Sequence, residues 1–160
     1  MTMTILETKL ERAPARAPLQ AKAKAGHTAR GVAAVSAYAD IAAARVELID
    51  VRPSEQFRAL HIPGAVNIKL SQLSNWARRV ARRRTVKGIC VYGMDAEQSR
   101  TAAHMLAAAG LANVSYLDTG IVGWHDARLP CVAVIDGELV RVVIERVGLP
   151  ASVVVLTALP

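Results

Sequence analysis

Few side chains in this sequence can do covalent chemistry. Cys90 and Cys131 are the two cysteines, and four histidines are scattered along the chain. A thiolate attacks sulfur, phosphorus or carbon when something lowers its pKa and leaves it open to reactants. Cys90 lies inside Gly88-Ile89-Cys90-Val91-Tyr92, an almost continuous apolar run that suits a strand covered on both faces. Such surroundings raise a thiol pKa and block access, so Cys90 reads as a small core residue. Cys131 follows Pro130, at the end of the regular part of the chain, and is expected to be the exposed thiol. His61, His104 and His125 have no metal-ligand spacing with each other or with a cysteine, so no metal site is expected. The sequence has no Walker A motif, no G-x-G-x-x-G and no zinc-ribbon pattern, so no cofactor is expected either.

A third stretch could hold a ligand without covalent chemistry. Gly93-Met94-Asp95-Ala96-Glu97-Gln98-Ser99 is a polar loop between the buried strand and an alanine-rich helix. A loop entering a helix N-terminus gathers backbone N–H groups that suit an anion. Here Asp95 and Glu97 put two carboxylates in that cradle, and the nearest cation is Arg100. Unit charges about 4 Å apart interact by about 1 kcal/mol in water and about 4 kcal/mol at an effective dielectric of 20, so a divalent anion is disfavoured.

The elements that position this loop follow from hydrophobic pattern and turn chemistry. Ser36 is a plausible N-cap for a helix over residues 37–44, and Val46 to Val51 reads as a short strand. Residues 53–60 suit a short helix with Pro53 near its start, followed by a Pro63-Gly64 turn and a short strand at Val66-Asn67-Ile68. Ser71 opens an amphipathic helix that places Leu73, Trp76 and Val80 on one face. After the loop, the alanine-rich helix led by Ser99 stops at Gly110, and Val114 to Leu117 is another strand. Strands alternating with helices over short links predict a doubly wound α/β domain.

Residues 1–31 are rich in Ala, Lys, Arg and Pro without apolar periodicity and are expected to be a disordered basic tail. The net charge of +7 is local: residues 76–87 carry Arg78, Arg79, Arg82, Arg83, Arg84 and Lys87 with no acid. Those arginines are expected to give weak, non-specific anion binding, with no specific nucleic acid as ligand. Residues 132–160 form an apolar extension, either a hairpin turning at Asp136-Gly137 or a short helix from Glu138. Charges and prolines interrupt this extension, so it is too short to span a bilayer and a membrane partner is not expected. With no secretory signal recognisable at the N-terminus, a cytoplasmic location with free thiols is expected.

Two stretches carry a family resemblance. Ile49-Asp50-Val51-Arg52, Phe57 and His61-Ile62-Pro63-Gly64-Ala65-Val66-Asn67-Ile68 resemble the first signature of the rhodanese family. Ser99, Ala102-Ala103, Leu106, Gly110, Val114, Tyr116-Leu117, Gly120-Ile121 and Trp124 resemble its second. Both occur in the right order and at the right separation across roughly residues 33–131. The resemblance implies a three-layer α/β domain with a central, mostly parallel five-stranded sheet flanked by helices, here over residues 32–131. It also implies an active-site loop of the form C-x-x-G-x-R-S, whose cysteine carries a sulfane sulfur as a persulfide.

Aligned on Ser99 and Ala102-Ala103, the nucleophile position falls on Gly93, the loop glycine on Ala96 and the arginine on Gln98. Asp50, Arg52 and His61 fall where the family organises the sheet edge and the neighbouring loop. The resemblance thus implies a domain without its nucleophile that binds or regulates through a protein partner. The alternative is a divergent sulfurtransferase using Cys131 or a partner's thiol. The acidic loop suits a cationic partner and the arginine-rich helix an acidic one; the two patches could also support self-association.

Overall fold

The computed structural model describes residues 28–82, 87–146 and 152–158. Its central sheet has five strands, β1 (Arg30–Val32), β2 (Val46–Asp50), β3 (Val66–Asn67), β4 (Gly88–Tyr92) and β5 (Val114–Leu117). Their spatial order is β1-β5-β4-β2-β3, and every pairing is parallel. The helices are α1 (Ala34–Ala42), α2 (Ser54–Ala59), α3 (Leu70–Val80), α4 (Ala96–Ala108) and α5 (Gly120–Asp126).

Side-chain alternation along β4 shows why the sheet needs cover on both faces. Ile89 and Val91 enter the core formed with Leu73 and Ala77 of α3 and Ala102, Ala103 and Leu106 of α4. Cys90 and Tyr92 enter the opposite core, with Ala34 and Ala37 of α1 and Ile121 and Trp124 of α5. An apolar side chain at every position therefore finds a core, which explains the unbroken run in the sequence. The expected three-layer fold is what the chain forms.

Several boundaries differ from the sequence reading. Arg30 and Gly31 belong to the sheet and not to a tail, because β1 pairs with β5 at Arg30↔Ser115 and Gly31↔Tyr116. Residues 1–27 of the expected tail lie outside the described residues. Helix α1 starts before Ser36, with Ala33 at the N-cap and no side-chain cap, since alanines propagate the helix without one. Helix α4 starts before Ser99, and Asp95 is its N-cap.

The extension is a hairpin that continues into a third strand. Strands β6 (Cys131–Ile135), β7 (Glu138–Arg146) and β8 (Ser152–Ala158) form an antiparallel sheet in that order. Asp136 and Gly137 both have positive φ, 52° and 86°, as a tight two-residue hairpin turn demands. The second sheet is tied to the first domain where His61 and Val132 exchange two backbone hydrogen bonds of 2.8 Å each.

Candidate active-site loop

The loop begins where β4 leaves the sheet between its two layers. Gly93 is buried, and its N–H donates to Ser99 Oγ at 2.9 Å. The Ser99 hydroxyl in turn donates to the Asp95 carbonyl at 2.6 Å. Asp95 caps α4 by accepting from Gln98 N–H on Oδ1 at 2.9 Å. The Gln98 side chain turns back over the loop, and its Oε1 accepts from Met94 N–H at 2.7 Å. The amides of Gly93, Met94 and Gln98 thus all end on oxygens of the loop itself.

Gln98 also fills the space beside Gly93. A Cβ placed on Gly93 would run into Gln98 Oε1 and lie 2.7 Å from Gln98 Cγ. The loop is held from the other side by α5, whose Ile121 and Val122 N–H groups donate to Gly93 O at 3.0 Å and Met94 O at 3.4 Å. This approach needs Gly120: its φ is +62°, and a Cβ there would lie 2.5 Å from Met94 O.

The two carboxylates behave differently from the expectation. Asp95 is engaged as a helix cap, where its charge also meets the positive end of the α4 dipole. Glu97 and Arg100 are exposed on the first turns of α4, and neither makes a side-chain hydrogen bond or ion pair among the described residues. Arg100 is therefore not brought to the loop as a counter-ion.

Beneath the loop lies a buried ion pair. Asp50 is 0% and Arg52 3% exposed, and the guanidinium meets the carboxylate through Nε at 3.1 Å and Nη2 at 2.6 Å. Arg52 Nη2 also donates to Leu60 O at 2.6 Å, and its guanidinium carbon lies 5.7 Å from the Tyr92 ring centroid. Tyr92 accepts from Ile62 N–H at 3.1 Å; burial, with Asp50 nearby, pushes its phenol well above the ordinary range. His61 bonds Phe57 O through Nδ1 at 2.7 Å and stacks on the Phe57 ring at 3.8 Å. Desolvation lowers the His61 pKa from 6.5, so the ring is neutral at pH 7 and fixes the turn, as the sequence reading expects of it.

Neither thiol reaches the loop's surface. Cys90 is buried as expected, and desolvation pushes its pKa up to about 11. Cys131, expected to be exposed, is 1% exposed, because β6 folds back against Ile62 and Trp124. Its pKa is also raised to about 11 by burial, which outweighs the opposing charge of Arg52. Trp124 is core, with its indole N–H donating to Pro130 O at 2.9 Å. Among the described residues no cluster of His, Cys, Asp and Glu could hold a metal ion, and no helix is long and apolar enough to cross a membrane.

The rhodanese-like domain family matches residues 33–127, more than half of the chain and every element that builds the loop. The chain belongs to the rhodanese-like domain family. An HTH-type transcriptional regulator of Mycobacterium tuberculosis is 35% identical over 88 residues, covering 55% of this chain and 38% of the regulator. Thiosulfate sulfurtransferase GlpE of Shewanella oneidensis is 31% identical over 83 residues, covering 52% of this chain and 79% of GlpE. Among solved structures, the rhodanese-like domain of Alr3790 from Anabaena superposes with a TM-score of 0.57 at 25% identity, covering 66% of this chain and 80% of that one. A rhodanese-related protein from Thermoplasma volcanium, at 24% identity and a TM-score of 0.56, shares the fold over 64% of this chain and 97% of that one.

Against the rhodanese-like frame, sequence reasoning placed the loop but missed its state. It treated Gln98 as a lost positive charge, whereas the side chain occupies the cradle.

Proposed function

We propose that this rhodanese-like domain is a non-catalytic module that binds or regulates and does not transfer sulfur. The observation that carries the reading is the Gln98 carboxamide, which bonds the Met94 amide and fills the space a side chain at position 93 would need. A persulfide enzyme needs a thiolate there and unoccupied amides around it. Gly93 supplies no sulfur, and the amides of Gly93, Met94 and Gln98 are already satisfied from within the loop. Cys90 and Cys131 are poor substitutes, since both are buried and hold their protons at neutral pH. Similarity to a transcriptional regulator accords with a regulatory role, although the match spans only 38% of that protein. A cytoplasmic location belongs to the same reading.

Sulfur transfer from thiosulfate to cyanide by the purified chain is the test. The expected result is a rate equal to buffer alone. Turnover that is abolished by Cys131→Ser would overturn the proposal in favour of a divergent sulfurtransferase.

A further inference from the structure

The sheet stops short along one edge. β3 pairs with β2 only at Ile49↔Val66 and Asp50↔Asn67, so among the described residues Val46, Glu47 and Leu48 have no strand partner on that side. The alternation of main-chain groups shows which of them face the gap. Arg45 O and Val51 N–H bond to β4, whereas Asp50 O accepts from Ile68 on the β3 side. Val46 and Leu48 share the phase of Asp50, so their main-chain groups turn toward the missing strand.

The gap is a shaped cleft of about 520 Å³. Its walls come from both helical layers, with Ile41 and Ala44 on the α1 side and Trp76 on the α3 side. A space bounded by a sheet edge below and a helix layer on each side has the shape of one further strand. Trp76 is half-buried and also walls a second cleft of about 370 Å³, which follows Gln72, Asn75 and Arg79 along α3. The two clefts therefore meet at an aromatic side chain, a residue type that anchors interfaces.

Charge selects the occupant. Lys87 lines the first cleft with Glu47, and Arg79 lines the second. Arg78 and Arg82 are exposed on and just beyond α3, and no carboxylate pairs with Arg78, Arg79, Arg82 or Lys87 among the described residues. Among the described residues Glu47 is the single carboxylate lining either cleft, against Lys87 and Arg79, so the described lining is positive.

We propose that the open edge of β2 receives an extended, acid-flanked apolar peptide from a partner protein as a sixth strand, anchored on Trp76 and steered by Arg79. Main-chain hydrogen bonds supply the common affinity of this recognition mode, and side-chain pockets supply its specificity. The inference rests on the non-catalytic reading only in taking the domain for a binding module, and it locates binding away from the active-site loop.

The probe is a synthetic ten-residue peptide of alternating valine and threonine with two aspartates at each end, titrated into the ¹⁵N-labelled full chain. Expected are shifts at the Val46 and Leu48 amides and at the Trp76 indole. A lysine-flanked twin should bind at least about tenfold more weakly. Arg79→Glu, an exposed change, should weaken the aspartate peptide at least about fivefold. Trp76→Ala should abolish the shifts while circular dichroism stays native.

Equal binding of both peptides, or shifts confined to the arginines with the β2 amides unmoved, overturns the proposal. So does concentration-dependent line broadening at Val46 and Leu48 without peptide, which would assign the edge to a second copy of this chain. Sulfur transfer in the thiosulfate assay would sink the non-catalytic reading without altering the peptide result, so the two failures are separable.

Discussion

Gln98 Oε1 lies 2.7 Å from the Met94 amide nitrogen, so a side chain of the first turn of α4 occupies the loop from which that helix departs. A neutral carbonyl oxygen thus takes up an amide beside Gly93, the position that the family alignment gives to the nucleophile. On the proposed non-catalytic reading, persulfide chemistry at this loop needs two changes, a nucleophile and a vacancy. Gly93→Cys alone must push Gln98 aside, whereas Gly93→Cys combined with Ala96→Gly and Gln98→Arg takes away the carboxamide that anchors residue 98 on Met94, loosens the helix start and restores a cation. Intact-protein mass spectrometry after thiosulfate treatment is expected to show a 32 Da persulfide adduct on the triple variant at several times the occupancy of the single one. Equal occupancy would show that Gln98 does not obstruct the site.

The Asp50–Arg52 pair is buried and bidentate, so removing one partner strands the other charge. Asp50→Ala is expected to cost about 3–5 kcal/mol in urea unfolding. Arg52→Lys is expected to be destabilising as well, because a lysine amine cannot bridge the carboxylate and Leu60 O with the same fork.

His61 gives a pH dependence whose sign is determined by burial. Its folded pKa lies below 6.5, so as pH falls through that value the unfolded chain takes up a proton before the folded one does. Stability from this group is complete above about pH 6.5 and declines below it, toward the folded pKa. Urea midpoints at about pH 7.5 and pH 5.5 are expected to differ more for the native chain than for His61→Gln.

Cys90 and Cys131, with pKa values near 11, are expected to resist alkylation in the folded state. Iodoacetamide at about pH 8 should modify both at least about a hundredfold faster in urea than in buffer. Fast native labelling of Cys131 would show that β6 opens readily from the Trp124 core.

Gly120 and Gly137 sit at positive φ for different reasons. Gly137→Ala at the hairpin tip meets open space and is expected to cost only about 1 kcal/mol, from backbone strain. Gly120→Ala adds a collision with Met94 O and is expected to cost more than about 2 kcal/mol and to shift the Gly93–Gln98 amides in NMR spectra. Comparing the two by urea denaturation separates strain from contact.

Much of the fold was legible because it depends on periodicity. The run Gly88 to Tyr92 announces a strand between two layers, and Asp136-Gly137 announces a tight turn. Helix starts were less legible, since α1 begins on alanine without a side-chain cap and α4 uses Asp95 before Ser99. The burial of Cys131 was not legible either, because it depends on the His61–Val132 exchange between segments 71 residues apart in sequence. The site was located by its flanking residues. Its occupancy was hidden because a rotamer of Gln98, and not a residue type, closes it.

Both thiols are shielded from solvent, so the most exposed sulfur among the described residues is the thioether of Met94, on the loop itself. Enzymes that carry a persulfide lose function when the sulfur is oxidised beyond recovery. In this chain an oxidant meets the loop at Met94 instead, where the product is a sulfoxide that methionine sulfoxide reductases reverse, while Cys90 and Cys131 stay covered.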